Sequence, residues 1–367
     1  MTDDRRSTAT AAAAAHQRAM PLQRLLSGGM EWSDAVALHA AADEEVPWHE
    51  AARALGDADR DRALAAVASG RAATARDYFV QASACYRFGQ TPLTDEEPEK
   101  RQMYAALIDA FGRAAQLHEP PIDHVQIGWG GSALSGWLMR PRHVDRPPVV
   151  IQMGGFDGWR EEYYANALAL RERGVACLLV DGPGQGETRL FGGLHLGSDP
   201  AAAFEEIVRF LACDDRVGSS IGIWGNSFGG FLAALTASRT PLVAACCVNG
   251  GTVRPAEILD RYPRFIAKIE ALLGIDDPIA ARDRIDELVL GAADLDAIRC
   301  PVHVVHGTPD RVFLIESART LFDGLGAEDR VFTEFPDGDH CVYNHAHERN
   351  CLIGDWFASR LGARPAG

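Results

Sequence analysis

No stretch of the chain reaches the roughly 18–20 uninterrupted apolar residues that a membrane-crossing helix needs, so a membrane is not an expected partner. Positive charge is scarce as well. Against 36 Lys and Arg stand 51 Asp and Glu, a formal net charge of -15, and nucleic acid, which is bound by basic surface, is not expected either. The 8 cysteines form no CxxC pair, and several lie inside apolar strand-like runs such as "VACLLVD" and "LVAACCVNG". Buried reduced thiols are expected, not a disulfide framework. His345 and His347 form an H-x-H pair in "YNHAHE". Two positions apart on a helix they would not share a face, and no second cluster matches their spacing, so no metal is expected. No glycine-rich loop is followed by GK[ST], which removes the phosphate loop. A signal-peptide core is missing too. "MTDDRRSTATAAAAAHQRAM" sets acidic residues beside Arg5 and Arg6, and its alanines are too weakly apolar, so a cytoplasmic start is expected.

What is present divides into two parts. Residues 1–120 read as helix nearly throughout. "WSDAVALHAAADEE" and "RDRALAAVASGRAATARDYFVQASACYRFG" repeat apolar residues at i, i+3 and i+4, "TPLTDEEPEK" is a loop, and "RQMYAALIDAFGRAAQLH" resumes the helical period. At "EPPID" the pattern changes. Short apolar strands ("VVIQMGG", "VACLLVD", "IGIWG", "LVAACCVNG", "VHVVHG", "RVFTEF") alternate with helical segments, after an opening pair of strands joined by "GGS". Continuous apolar strands separated by helices predict an α/β fold, a mostly parallel sheet covered on both faces, over 121–367. A mostly helical insertion is expected at about 252–297.

The stretch "IGIWGNSFGGF" stops a strand at Gly225 and places Ser227 in a G-x-S-x-G turn before a helix. That context is a nucleophile elbow, with the Phe228 N–H facing a developing oxyanion. Serine needs a base, and the base an orienting acid; in this architecture they follow in the order Ser, Asp, His. Asp310 in "HGTPD" and His340 in "PDGDHCVYN" each lie in a loop just after a strand, at the same sheet edge as Ser227. Asp294 and Asp296 precede their strand and fall at the opposite edge, and His306, at a strand end, is expected to be structural. The glycine-rich "IQMGGFDGW" offers the second oxyanion donor, Phe156 by first choice and Gly155 by second, and "LVDGPGQGET" is expected as pocket wall. Aromatics of "YFVQASACYRFG", Tyr78 and Tyr86 among them, are candidates for substrate contact, with core packing as the competing expectation.

"GGFDG", "DGPGQGE", "GNSFGG", "HGTPD" and "GDHCVYN", with a helical first part, together resemble the α/β-hydrolase superfamily. Within it they resemble the branch of dihydroxypseudooxynicotine hydrolase, the fungal polyketide-shortening hydrolases and the esterases related to the fermentation–respiration switch protein. The resemblance implies a cofactor-free hydrolase, often a homodimer, acting on a small molecule, with residues 1–120 as a helical cap. Some members cleave a carbon–carbon bond next to a ketone and others cleave esters. It also implies an acidic residue beyond the elbow that assists catalysis, for which Glu257 is the candidate and Asp260 lies near. Hydrolysis of a β-diketone or polyketide-like substrate is the leading expectation. A carboxylesterase or lactonase, an acyltransferase or cyclase, and a non-catalytic binding protein on the same fold are the alternatives.

Overall fold

The alanine-rich helical period of the first third folds into a helical unit that ends at Ile122, and a second compact unit begins at Asp123. The structure is a computed structural model and describes residues 16–17, 20–44 and 46–363. Most of the stretch read as a cytoplasmic start lies outside the described residues. Among those residues no helix is long and apolar enough to cross a membrane.

The helical unit contains α1 (Leu22–Ser27), α2 (Trp32–Asp43), α3 (Trp48–Ala68), α4 (Ala72–Gly89) and α5 (Pro98–Gln116). The run 60–89, read as helical period throughout, is divided between α3 and α4. Gly70 takes φ +69, the left-handed conformation that closes a helix and turns the chain. The loop expected over 91–100 gives its last residues to α5, because Pro98 fits a first helical turn, where its missing N–H has no partner to lose. Small residues let α3 and α4 approach closely. A Cβ on Gly56 would meet the Tyr86 ring at 2.6 Å, and the Tyr86 hydroxyl donates to Asp57 Oδ1 at 2.7 Å.

The second unit opens with the antiparallel hairpin β1 (Asp123–Trp129) and β2 (Ser132–Met139). Then follow β3 (Val149–Met153), α6 (Tyr164–Arg171), β4 (Ala176–Asp181), α7 (Gly186–Leu190), α8 (Pro200–Ala212), β5 (Ile221–Asn226), α9 (Phe228–Arg239) and β6 (Val243–Asn249). The expected insertion is a series of short helices, α10 (Ile258–Arg261), α11 (Ile266–Leu273), α12 (Pro278–Asp286) and α13 (Ala292–Ala297). After it come β7 (Val302–Gly307), α14 (Ile315–Gly324), β8 (Arg330–Phe335) and α15 (Ala346–Arg360). The eight strands form one sheet in the order β1-β2-β4-β3-β5-β6-β7-β8, parallel from β4 through β8. Strands β3, β4 and β5 are buried along their whole length, as expected of strands covered on both faces. Edge strand β1 alternates, and β8 is mostly half-exposed. Because β3 to β8 run parallel, the loops leaving their C-terminal ends gather at one edge. Residues 154–156, 182–185, 227, 308–310 and 336–340 all lie in the segments that leave those ends.

Candidate active site

Every residue from Ile221 to Ala237 is buried except Ser227, which is partly exposed. The turn that lifts it is strained. Ser227 has φ 60 and ψ -126, a region that L-residues rarely occupy. Its N–H donates to Asn249 O at 2.9 Å, and its carbonyl accepts from Gly230 N at 2.8 Å, so both sides of the turn are pinned. The two glycines of the pentapeptide are required by contact. A Cβ on Gly225 would sit 1.9 Å from Gly229 O, and one on Gly229 would sit 2.5 Å from Gly154 O.

The structure brings Ser227, His340 and Asp310 together. Ser227 Oγ lies 2.8 Å from His340 Nε2, and His340 Nδ1 lies 2.7 Å from Asp310 Oδ2. A carboxylate only accepts, so Nδ1 carries a proton and donates it, and the neutral ring then accepts the serine hydroxyl at Nε2. Asp310 is 3% exposed, and its other oxygen accepts from Val312 N at 2.8 Å and Phe313 N at 3.3 Å. Burial alone would raise the Asp310 carboxyl, but the charge and hydrogen bond of His340 hold it below the ordinary value. Burial opposes a charge on His340, yet the Asp310 carboxylate overrides it and holds the imidazole well above its usual range. His306 is fully buried, with Nε2 3.0 Å from Phe313 O; burial keeps its pKa low.

The loop carrying His340 is also held in an uncommon shape. Cys341 and Val342 follow with φ of 56 and 58, and for a β-branched residue that is an outlier. The Cys341 carbonyl is gripped by two buried donors, Asn249 Nδ2 at 3.0 Å and Arg349 Nη1 at 2.7 Å. Asn249 therefore links the two turns, its backbone oxygen to Ser227 and its side chain to the His340 loop. Sequence reading assigned neither residue a role. The available signal was a lone Asn closing an otherwise apolar strand, "LVAACCVN", and an Arg on the buried side of the last helix.

Gly155 lies against Ser227, and Phe156 against Phe228. A Cβ on Gly155 would meet Ser227 Oγ at 3.0 Å and Phe228 N at 3.3 Å. The Phe156 and Phe228 rings stack with centroids 4.4 Å apart and planes 5° apart, an arrangement that contributes about 0.5–1.5 kcal/mol beyond area burial. Phe228 opens α9, where the first N–H groups have no partner within the helix. Three backbone N–H groups, of Phe228, Phe156 and Gly155, thus belong to residues around Ser227.

The remaining candidates have other neighbours. Glu257 accepts from Ser317 Oγ at 2.6 Å and Leu314 N at 3.3 Å, which ties it to the segment leading from Asp310 into α14. Asp260 pairs with Arg254 at 2.6 Å. In the helical unit Tyr86 is 1% exposed and packed on Gly56, and half-buried Tyr78 lies under the Arg62 guanidinium, 5.8 Å from its ring centroid. His345 pairs with Asp337 at 3.0 Å, and exposed His347 faces Cys351 Sγ at 3.8 Å. Among the described residues one group of three possible ligand atoms lies within 4.8 Å, that of Asp34, Asp59 and Cys85, which sequence reading did not single out. Burial and the charge of Asp59 push the Asp34 carboxyl up to about 6, and Asp59 pairs with Arg62 at 2.6 Å. An open depression of about 550 Å³ beside Arg209 and Arg216 lies ahead of β5, at the sheet edge opposite Ser227.

The chain is 26% identical over 351 residues to the 2,6-dihydropseudooxynicotine hydrolase of Paenarthrobacter nicotinovorans, covering 93% of this chain and 91% of that one. It is also 26% identical over 330 residues to the 20-hydroxy-prefusarin hydrolase FUS2 of Gibberella moniliformis, covering 76% and 78%. A crystal structure of 2,6-dihydroxy-pseudo-oxynicotine hydrolase superposes with a TM-score of 0.84 at 25% identity, over 95% of this chain and 98% of the other. Residues 149–349, more than half the chain, match the Alpha/beta hydrolase family, and the protein is a hydrolase that belongs to it.

Proposed function

We propose that the protein cleaves a carbon–carbon bond adjacent to a ketone in a small β-diketone or polyketide-like molecule, through an acyl-enzyme on Ser227 and with no cofactor. The observation that carries the reading is the relay of Ser227, His340 and Asp310, at 2.8 and 2.7 Å, at the sheet edge where the backbone of Gly155 and the start of α9 come together. The choice of carbon–carbon over ester chemistry rests on the resemblance and on the similarity to the 2,6-dihydropseudooxynicotine hydrolase.

In this mechanism His340 Nε2 takes the hydroxyl proton as Ser227 Oγ bonds to the substrate carbonyl carbon. The oxyanion is met by the N–H groups of Phe228 and Phe156; one such donor contributes about 3–4 kcal/mol. As the tetrahedral adduct collapses, the carbon–carbon bond breaks, and its electron pair leaves as the enolate of the second carbonyl. The imidazolium protonates that carbon and a ketone departs. Water then attacks the acyl-serine, His340 removes its proton and returns it to Ser227 Oγ, and a carboxylic acid is released. Asp310 holds the ring in place and stabilises its charged form throughout.

The deciding experiment is product analysis with an aryl β-diketone and a matched aryl ester. The diketone should yield equal amounts of carboxylic acid and ketone, with the higher kcat/KM. Turnover of the ester alone would replace this reading with a carboxylesterase. The cap role of residues 1–120, a homodimeric assembly and a cytoplasmic location are part of the same proposal and rest on the resemblance. A chain beginning near Pro120 should retain only slight activity on a small activated ester and lose activity on the diketone.

The pH profile gives a second check. The reaction needs neutral His340, so kcat/KM rises as its proton leaves. Since Asp310 raises that pKa, the acid limb should lie above the ordinary imidazole value of about 6.5. Asp310→Asn removes the carboxylate, so the limb should move to lower pH while kcat falls by about 10³- to 10⁴-fold. An unmoved limb would mean that another group sets it.

A further inference from the structure

The loop "DGPGQGET", whose sequence suggested only a pocket wall, contains a buried carboxamide with every polar contact made to a neighbouring backbone. Gln185 is 3% exposed. Its Oε1 accepts from Gly182 N at 2.9 Å, within its own loop. Its Nε2 donates to both Gly154 O and Gly155 O, each at 2.8 Å, in the loop that follows β3. Two carbonyl acceptors on one side and an N–H donor on the other leave a single orientation for the amide.

We propose that Gln185 is a positioning residue that orients the second oxyanion donor. The inference rests on the reading of Phe156 N–H as that donor. In a planar trans peptide the C=O and N–H point in opposite directions. Holding Gly155 O toward Gln185 therefore turns Phe156 N–H away from it, and holding Gly154 O does the same for Gly155 N–H. Among the described residues neither N–H has an acceptor, although both residues are buried. Buried backbone donors are nearly always paired, so two adjacent ones without an acceptor among the described residues, in a loop that packs on Ser227, suit a transient partner, the oxyanion. A glycine-rich loop has little rigidity of its own. The Gln185 side chain supplies it from outside, without touching substrate.

The test uses the full chain with p-nitrophenyl acetate as substrate, comparing Gln185→Glu and Gln185→Met with the parent. The Glu variant keeps the acceptor for Gly182 N–H but, when ionised, faces two carbonyl oxygens with no donor. At pH 8 both variants should lose about 10²-fold in kcat with KM within about threefold, the signature of a lost transition-state contact. As pH falls, protonation gives the Glu variant one donor back, and its activity relative to the parent at each pH should climb, whereas the Met ratio stays flat. Activity within threefold of the parent in both variants would overturn the proposal. So would a loss that tracks a drop in Tm without the kcat-against-KM split, or failure of both variants to fold; each of these makes Gln185 a structural residue only. Failure of the serine-hydrolase reading beneath it looks different, because the parent itself would then resist a fluorophosphonate label.

Discussion

Ser227→Ala should abolish turnover, with kcat down by about 10⁴- to 10⁶-fold, and His340→Ala should do the same. The double variant should be no worse than either, because nucleophile and base act as one unit. Stability should barely move, since Ser227 Oγ makes its hydrogen bond to His340 alone among the described residues, and alanine inherits the same backbone angles. Three measurements check this together: steady-state turnover, labelling by a fluorophosphonate, and Tm. Loss of labelling with an unchanged Tm is the expected result. Near-normal turnover in Ser227→Ala would remove Ser227 from the chemistry.

Gly225→Ala should strike the fold instead. The added methyl would lie 1.9 Å from Gly229 O, 2.2 Å from Gly229 C and 2.6 Å from Gly230 N. All three are backbone atoms in the elbow and the first turn of α9, so no side chain can swing aside. Ordinary overpacking costs about 1–3 kcal/mol; a clash with fixed backbone belongs above that range, and a fall in Tm of about 10 °C or more is expected. Gly128 in β1 is the control. Nothing lies within 4 Å of its Cβ position, and Gly128→Ala should leave Tm unchanged or slightly raised. Equal melting of the two variants would mean that the elbow can relax, contrary to its packing.

These contrasts separate what a reader of the sequence could see from what was hidden. The alternation of apolar strands with helices is written in short local stretches, and it fixes which loops share a sheet edge. Ser227, Asp310 and His340 were legible for that reason, without any knowledge of distances. Gly70 as a helix break was missed because the apolar period runs on across it, and only a backbone angle of +69 marks the stop. Asn249, Arg349 and Gln185 were hidden more deeply. Their partners lie 92, 8 and about 30 residues away, and their acceptors are backbone carbonyls, which carry no side-chain identity to read. Glu257 was named by resemblance, and its hydrogen bond with Ser317 is a long-range contact that spacing could not disclose.

The strained turn at Ser227 also limits how this architecture could change its chemistry over evolutionary time. A backbone at φ 60 tolerates one γ atom on the side chain, while a β-branched residue there is an outlier. The wall at Gly155 approaches so closely that a methyl on that glycine would reach 2.9 Å from Ser227 Cβ, which leaves little room for a second branch. Threonine is thus disfavoured at this position, while cysteine, with its single γ atom, fits the same angles. A descendant lineage could pass from hydroxyl to thiol chemistry in one amino-acid exchange, keeping base and acid in place, whereas the route to a threonine enzyme would require rebuilding the turn first.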